Sequence, residues 1–459
     1  FYDPTSADTD RIYCRRGGFL GAEADFEPLL YGVMPVAAKG IEPDQMLTLQ
    51  LVSQAFEDAG ISPDAFVHRE RTAVIFGRGG YPGITTAAAF QHARTTYQIT
   101  ESLRALLPQI SELQLAEIKA HLNAQAGPYG SDMIMGLVPN LVASRVANRF
   151  DLSGSAYTVD AACASSLVAL EHSVRELISG TADVVITGGI HLCDDLYFWN
   201  AFSRLGAISR SQQIRPLDRR ADGLLIGEGI GVLILKRLTD AQRDGDRVYA
   251  TVRGVGVASD GRARSLMQPS AGGQLLALKR AWREAGIDPQ SIGLLEAHGT
   301  GTPQGDRVEL TTIRQFFGRQ LPRLPVIGSV KSMIGHAMPA SGSASLIKTA
   351  LAIHDRFLPP TLHCEEPHPL LVETGFRVLS RGEPWEDKRS LCAAINAFGF
   401  GGIDAHVVLE AFDTPQTEAM SRVPLMRPPD VWLIESNDAE AMICALKEGH
   451  WGASNGHHR

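Results

Sequence analysis

The sequence predicts an α/β fold built from two related halves, and three observations carry that prediction. The runs Thr72-Ala73-Val74-Ile75-Phe76-Gly77 and Ala182-Asp183-Val184-Val185-Ile186-Thr187-Gly188-Gly189 are continuously apolar rather than alternating, the pattern of strands covered on both faces. Such runs interleave with segments of helical periodicity, which is the element order of α/β architecture. The third observation is an internal echo. Glu57-Asp58-Ala59-Gly60-Ile61-Ser62-Pro63 returns as Arg283-Glu284-Ala285-Gly286-Ile287-Asp288-Pro289, 226 residues later from Gly60 to Gly286, about half of the 459-residue chain. In both places a helix precedes the motif and a strand follows it.

Taken in order, residues 1–45 are rich in turns, glycine and acidic groups and read as an irregular, partly packed surface arm. Residues 43–59 carry Met46, Leu47, Leu49, Leu51, Val52, Ala55 and Phe56 at helical spacing, and Gly60 is the usual residue just past a helix end. After the 72–77 strand, residues 81–130 form a helical insertion, with helices expected over 86–94, 99–107 and 111–123. A helix over 140–148 leads to a short strand over 155–159 and a helix beginning near Leu167. The 182–189 strand follows, then a turn-rich stretch from 214 to 229 and strands over 230–236 and 247–258. In the second half a helix is expected over 275–285, a strand over 292–297, a helix over 340–353, and strands over 393–396 and 405–410. From Asp413 onward proline and polar residues increase, and 431–434 with 439–447 read as the opening of a separate strand–helix unit.

Composition narrows the function. Forty-three basic against 51 acidic residues give a net charge of −8, which is no footprint for nucleic acid or an anionic membrane. The six cysteines, at 14, 163, 193, 364, 392 and 444, show neither CxxC pairing nor the density of a disulfide framework, which fits a reduced, cytoplasmic setting. No apolar run reaches the roughly 18 residues of a membrane span, and Glu228 interrupts the nearest one. The first residue is Phe1, so the chain reads as a piece of a longer polypeptide.

The chemistry centres on Val159-Asp160-Ala161-Ala162-Cys163-Ala164-Ser165-Ser166-Leu167. A strand runs into small residues, then a cysteine, then a helix. That is how a chain presents a nucleophile, and the unpaired N–H groups and dipole of the helix start are expected to favour the thiolate. A lone cysteine in an apolar stretch is by default an inert core thiol. Two histidines at matching places change that weighting: His298, followed by Gly299-Thr300-Gly301-Thr302, and His336, followed by Ala337-Met338-Pro339-Ala340-Ser341. Ends of strands that lead into helices are where open α/β sheets collect their chemistry. One cysteine with two histidines suits acyl transfer. No pair of these residues has the spacing of helix-borne metal ligands, so no metal is expected. Neither Gly299-Thr300-Gly301-Thr302 nor Arg78-Gly79-Gly80 fits a phosphate cradle. His172, His354, His363 and His406 read as packing or surface residues.

Four motifs together carry a resemblance: Asp160-Ala161-Ala162-Cys163-Ala164-Ser165-Ser166, Glu296-Ala297-His298-Gly299-Thr300-Gly301-Thr302, Lys331-Ser332 with Gly335-His336, and Phe398-Gly399-Phe400-Gly401-Gly402. In this order and spacing they resemble a β-ketoacyl synthase, and more narrowly the ketosynthase domain of a type I polyketide synthase, over residues 10–412. The resemblance implies a thiolase-like fold, two duplicated halves (about 1–240 and 241–412) in five layers αβαβα, and a homodimer. It implies that Cys163 takes an acyl chain from an acyl carrier protein, and that His298 and His336 support decarboxylation of a malonyl-type extender and stabilise the enolate. It also implies that the backbone N–H groups of Cys163 and Phe400 form an oxyanion hole, and that Lys331 and Glu309 are an ion pair orienting His336. Phe400 is implied as an aromatic gate, and Phe398, Gly399, Gly401, Thr300 and Thr302 as substrate contacts. No cofactor is implied for the domain itself, since substrates travel on the carrier protein's phosphopantetheine. Residues 413–459 resemble the start of a linker toward an acyltransferase domain. Two departures stand out: Ala337-Met338-Pro339-Ala340-Ser341 replaces the common Thr-x-x-Ala-Ala type, and Asp404 stands where many members carry Asn. Both hint at an iterative subgroup of the polyene or polyunsaturated kind. The first strand of the family lies upstream of Phe1. A catalytically silent chain-length-factor-like partner would lack Cys163, a non-decarboxylating thiolase would carry a second cysteine in place of one histidine, and a decarboxylase that never condenses would carry Gln at 163.

Overall fold

The computed structural model describes residues 1–412 except 6–7, 22–24, 39, 63–65, 128, 193–194, 263–264, 323 and 387–390. The strand–helix unit expected at 431–434 and 439–447 lies outside the described residues, as do Pro63, Cys193 and Cys444.

Two sheets form the frame. Strands β1 (Thr72–Arg78), β2 (Ala156–Val159), β3 (Val184–His191) and β4 (Gly229–Lys236) make one, in the order β2-β1-β3-β4. The second contains β5 (Thr251–Ser259), β6 (Ile292–Glu296), β7 (Val326–Gly328), β10 (Cys392–Gly399) and β11 (Ile403–Glu410), in the order β5-β11-β10-β6-β7. The short strands β8 (Phe357–Leu358) and β9 (Glu383–Pro384) form a separate ribbon. The halves match strand for strand. In each, two parallel pairs (β2/β1 and β1/β3; β7/β6 and β6/β10) are followed by one antiparallel pair (β3/β4; β10/β11). The second sheet has one further strand, β5, antiparallel to β11. The duplication expected from the Gly60 and Gly286 motifs is therefore a duplication of topology, with both glycines at φ near +65° just past helix ends.

Helices complete five layers. The amphipathic helices Pro43–Asp58 and Leu141–Arg149 cover the outer face of the first sheet, packing Leu49, Val52, Phe56, Val142 and Val146 against Val74, Phe76 and Ile186. Helices Ala271–Ala285 and Pro303–Phe317 do the same for the second, with Leu278, Trp282, Leu310 and Ile313 against Ile292, Leu295 and Ala394. Between the sheets lie Ser165–Ile178 and Ser341–His354, where Leu167, Leu170, Leu346 and Ile353 meet Ile395, Ala405 and Val407. The layer order is αβαβα. Burial on both faces explains why β1 and β3 read as unbroken apolar runs: every residue of each is buried.

The expected insertion is helical, as Ile84–Phe90, a π turn Gln91–Thr95, Thr96–Leu106 and Glu112–Ala126, the last opened by a Ser111–Gln114 capping box. The N-terminal arm is irregular apart from short turns. It also packs more deeply than expected: Ile12 and Cys14 are buried in the same apolar cluster as Cys163, and the Gly18 N–H donates to the Ile226 carbonyl.

The start of the Ser165–Ile178 helix is held against β1 with no room to spare. A Cβ on Gly77 would stand 2.4 Å from both the Ser165 carbonyl carbon and the Ser166 nitrogen, backbone atoms that cannot swing aside. A Cβ on Gly80 would meet only an Asp160 oxygen at 3.7 Å. Gly77→Ala is therefore expected to cost about 1–3 kcal/mol of stability as overpacking, while Gly80→Ala stays within about 0.5 kcal/mol of the parent. Urea denaturation of the two variants checks this, and equal midpoints would refute it.

Candidate active site

Cys163 and His298 follow the ends of β2 and β6, and His336 follows the helical turn Lys331–Ile334 that comes after β7. Cys163 follows β2 and precedes the Ser165–Ile178 helix, on an elbow where Ala162 takes φ +49°, unusual for a residue with a Cβ. The elbow is fastened locally: the Ala161 N–H donates to Ser165 Oγ at 2.8 Å, and the Ser165 hydroxyl donates to the Ala162 carbonyl at 2.6 Å. The 398–402 turn between β10 and β11 packs directly on it, since a Cβ on Gly399 would stand 2.5 Å from the Ala161 carbonyl oxygen. That contact brings the Phe400 backbone N–H to the cysteine sulfur, where it and the Cys163 N–H both favour the ionised form.

The environment of the sulfur reverses one expectation. Cys163 is buried, and burial pushes its thiol up to about 11. The Phe400 N–H, the Lys331 ammonium and the Cys163 N–H pull the other way but do not prevail. The helix start does not yield a standing thiolate here, because desolvation of the charged form outweighs the donors aimed at it.

His336 is clamped through its backbone to the 225–227 segment: its N–H donates to the Leu225 carbonyl at 2.7 Å, and its carbonyl accepts from Gly227 at 3.0 Å. Its Nδ1 accepts from the Met338 N–H at 3.2 Å, and Ser341 Oγ lies 2.7 Å from the same nitrogen. With Nδ1 an acceptor, the ring proton belongs on Nε2. The Met338-Pro339-Ala340-Ser341 departure thus supplies both groups that fix this tautomer. His298 stands with its ring centroid 5.4 Å from that of His336, edge to face, and 5.6 Å from Phe398. Burial first, and Lys331 second, hold both imidazoles well below the ordinary histidine value, so both are neutral at pH 7.

The expected Lys331–Glu309 ion pair is not a direct contact and does not orient His336. Glu309 accepts the backbone N–H groups of His298 at 2.7 Å and Gly299 at 2.8 Å, and Asn396 Nδ2 at 2.8 Å. Its work is on the His298 loop. Lys331, almost fully buried, makes no hydrogen bond through Nζ and acts on Glu309 through space. Glu296, from the same motif as His298, accepts the Val330 N–H and pairs with Lys348 at 2.7 Å, which sets the turn that carries Lys331.

The remaining expected residues surround this centre. Thr300 and Thr302 hydroxyls lie 2.8 Å apart in the His298 loop, and Gly301 N–H is held by Asp306. Phe398 is buried beside His298, whereas Phe400 is 56% exposed, at the mouth. Gly401, at φ +97°, lets the turn fold back. Among the described residues no group of three or more His, Cys, Asp or Glu is placed to hold a metal ion. Among them, too, no helix is long and apolar enough to cross a membrane.

Sequence reasoning passes over a line of support behind Glu309. His406, expected as packing or surface, is buried: Trp282 Nε1 donates to its Nε2 at 2.9 Å, and its Nδ1 lies 2.6 Å from Asn396 Oδ1, whose amide in turn holds Glu309. The available signal is positional. Asn396 is the one polar side chain of β10, and His406 of β11 is directly paired with it in the β10/β11 register.

Comparison with known proteins agrees with this geometry. Residues 1–241 match the β-ketoacyl synthase N-terminal domain, 249–365 its C-terminal domain, and 367–453 the ketoacyl-synthetase C-terminal extension. The chain is 34% identical over 97% of its length to one component of the polyunsaturated fatty acid synthase of Thraustochytrium sp., covering 16% of that protein. It is 32% identical over 93% of its length to pikromycin polyketide synthase component PikAIII of Streptomyces venezuelae, covering 25% of it. The chain thus spans a quarter or less of these relatives. Among solved structures, the oxazolomycin ketosynthase domain OzmH KS7 of Streptomyces albus superposes with TM-score 0.76 at 33% identity, over 90% of this chain and 67% of that one. The PfaC keto synthase–chain length factor superposes with TM-score 0.78 at 30% identity, over 90% and 44%. The duplicated αβαβα frame thus has its counterpart in one family: this chain belongs to the β-ketoacyl synthases, acyltransferases of the thiolase-like fold, and is of the type found as ketosynthase domains in type I polyketide synthases.

Proposed function

We propose that this domain catalyses a decarboxylative Claisen condensation between an acyl chain on Cys163 and a malonyl-type extender carried on an acyl carrier protein. The observation that carries the reading is a buried Cys163 sulfur on a tight elbow, packed against the Phe400 turn and sharing the influence of Lys331 with two neutral histidines. In the first half-reaction the Cys163 sulfur attacks the carrier thioester, the carbonyl oxygen accepts from the Cys163 and Phe400 N–H groups, and the carrier thiol departs with the proton. Next the extender loses CO2, whose bonding pair passes into the thioester as an enolate. A neutral imidazole with its proton on Nε2, as assigned for His336, donates to that enolate oxygen in a dry site, where such a donor contributes about 3–4 kcal/mol. The enolate carbon then attacks the Cys163 thioester, the sulfur leaves and takes up a proton, and a β-ketoacyl thioester remains on the carrier.

Phosphopantetheine of an acyl carrier protein would deliver both substrates, past Thr300, Thr302 and the Phe398-Gly399-Phe400-Gly401 turn. We read the active unit as a cytoplasmic homodimer, residues 1–412 as the ketosynthase domain, and 413–459 as the start of a linker toward an acyltransferase domain. Relatives from polyunsaturated fatty acid and polyketide synthases match at 34% and 32% identity. That similarity supports the shared condensation and does not favour one product class. The silent, chain-length-factor-like alternative is disfavoured by the nucleophile itself.

Intact-protein mass spectrometry with acyl carrier protein or acyl thioester donors is expected to show one acyl adduct, mapping to Cys163 and lost in Cys163→Ala. Acylation elsewhere would reassign the nucleophile, and no adduct with any donor would favour the silent partner. His298→Ala should lower extender decarboxylation about 10²–10³-fold while self-acylation falls less, and the reverse order would exchange the roles. The pH dependence has a definite sign. With the thiol at about 11, the thiolate fraction at pH 7 is on the order of one in ten thousand. Iodoacetamide labelling of Cys163 should therefore rise about tenfold per pH unit from 7 to 10, whereas a plateau near pH 8 would show an activated thiolate.

A further inference from the structure

Two carboxyl groups outside the catalytic set meet beneath the turn that carries Phe400. Asp260 follows the end of β5, and Asp404 is the second residue of β11, at the end of the β5/β11 ladder where the chain enters the 398–402 turn. Asp404 is 2% exposed. Asp260 Oδ1 and Asp404 Oδ2 are both buried and neither accepts from any donor, yet they converge on one point: each lies 2.4 Å from where a Gly273 Cβ would stand. Two carboxylates cannot face each other this way with both ionised, and the group missing between them is a proton.

The pair is tied to the catalytic turn. The Asp260 N–H donates to the Gly402 carbonyl at 2.9 Å, the Gly402 N–H closes the turn onto the Gly399 carbonyl at 3.1 Å, and a Cβ on Gly402 would stand 2.9 Å from the Asp260 Cβ. The other Asp260 oxygen, Oδ2, accepts the Ser270 N–H at 3.1 Å, which anchors it to the start of the Ala271–Ala285 helix. We propose that Asp260 and Asp404 share one proton, and that this shared proton positions the 398–402 turn so that the Phe400 N–H stays on the Cys163 sulfur. Both are positioning residues, and the inference rests on the condensing reading for its effect on activity.

No neutralising charge competes for this proton among the described residues. The helix presents Gly273, β10 presents Phe398 and β5 presents Ala258 opposite Asp404. Of the nearby cations, Arg262 is exposed and Arg280 donates to the Val257 carbonyl. The groups acting on each carboxyl are the other carboxyl and, for Asp260, the Ser270 N–H. Burial, with Asp260 beside it, raises Asp404 to about 8, and burial raises Asp260 too. Between the ordinary carboxylate range and about 8 the folded chain therefore holds a proton that the unfolded chain does not, and stability falls as pH rises across that interval.

Asp404→Asn tests this, because an amide donates to Asp260 without a titrating proton. Acyl transfer to Cys163 and thermal unfolding midpoints are measured from pH 6 to 9.5 in both proteins. The ionisation of the Cys163 thiol is common to both proteins and cancels in the ratio of their rates. The acyl-transfer rate of the parent relative to the variant is expected to fall about tenfold between pH 7 and 9, as the pair ionises, and the parent's midpoint to fall more steeply than the variant's over the same range. Superimposable pH profiles and parallel midpoints would overturn the proposal. If the variant does not fold, Asp260→Asn carries the same comparison with the donor on the other side, and slopes equal to the parent's would again overturn it. If no protein transfers an acyl group at any pH, the condensing reading has failed, and the midpoints alone decide whether the proton is shared.

Discussion

Burial sets the protonation state of the site, and one buried lysine within it adjusts the result. The Lys331 ammonium makes no hydrogen bond and is almost completely shielded from water. In such surroundings an interaction between charges is several-fold stronger than at the surface. Lys331 holds His298 and His336 further toward their neutral forms. It also opposes the protonation of Glu309 and Asp306 and eases ionisation of Cys163. Burial in turn lowers the lysine itself, while Glu296, Glu309, Cys163 and Asp306 support its charge. Neutral imidazoles can donate a hydrogen bond to a developing oxyanion, and here burial first and Lys331 second keep them neutral.

Keeping an unbonded ammonium in place requires a rigid surround, and the duplicated frame provides it by bringing strand ends from both halves to one point. Glu309 fixes the His298 loop through two backbone N–H groups, and Glu296 with Lys348 fixes the turn that carries Lys331. Behind Glu309 a chain of side chains runs through Asn396 and His406 to Trp282. Each member is satisfied by the next, which is the condition under which a buried polar network rigidifies a core instead of weakening it. The second half thus positions the His298 loop by side-chain hydrogen bonds and clamps His336 through its backbone to the 225–227 segment. The first half positions its cysteine by backbone contact, with Gly77 and Gly399 closing on the elbow.

The parts legible in the sequence are those set by local pattern. Strands β1 and β3, buried on both faces, leave an unbroken apolar run, and the helix Pro43–Asp58 shows its apolar face and a glycine stop. Cys163, His298 and His336, the residues proposed for catalysis, stand in short motifs of small residues. What the sequence conceals depends on distant partners. The helices Leu196–Arg204 and Pro303–Phe317 are absent from the sequence expectation, the second because its first turn, Pro303 to Asp306, reads as part of a glycine-rich loop. Asn396 and His406 become a network only when β10 and β11 pair. Asp404 is legible as a departure from a pattern, but its meaning appears only once Asp260, 144 positions away, is beside it. The ionisation of Cys163 departs from expectation for a related reason: a helix start is visible in sequence, whereas the depth at which it is buried is not.

That depth bears on how the site can work. A thiol at about 11 places the thiolate at pH 7 about 5 kcal/mol above the resting state. The two N–H groups on the sulfur are each worth about 3–4 kcal/mol to an oxyanion in a dry site, enough together to offset that penalty, though not while they are occupied by sulfur. In the free enzyme they solvate the sulfur. In the proposed acyl-enzyme the sulfur is an uncharged thioester and releases them to the carbonyl oxygen, where charge develops. The same two donors would thus serve the nucleophile first and the oxyanion afterwards. Burial keeps the resting thiol protonated, and in the proposed reaction binding of a thioester would supply the acceptor that draws the donors into their second role.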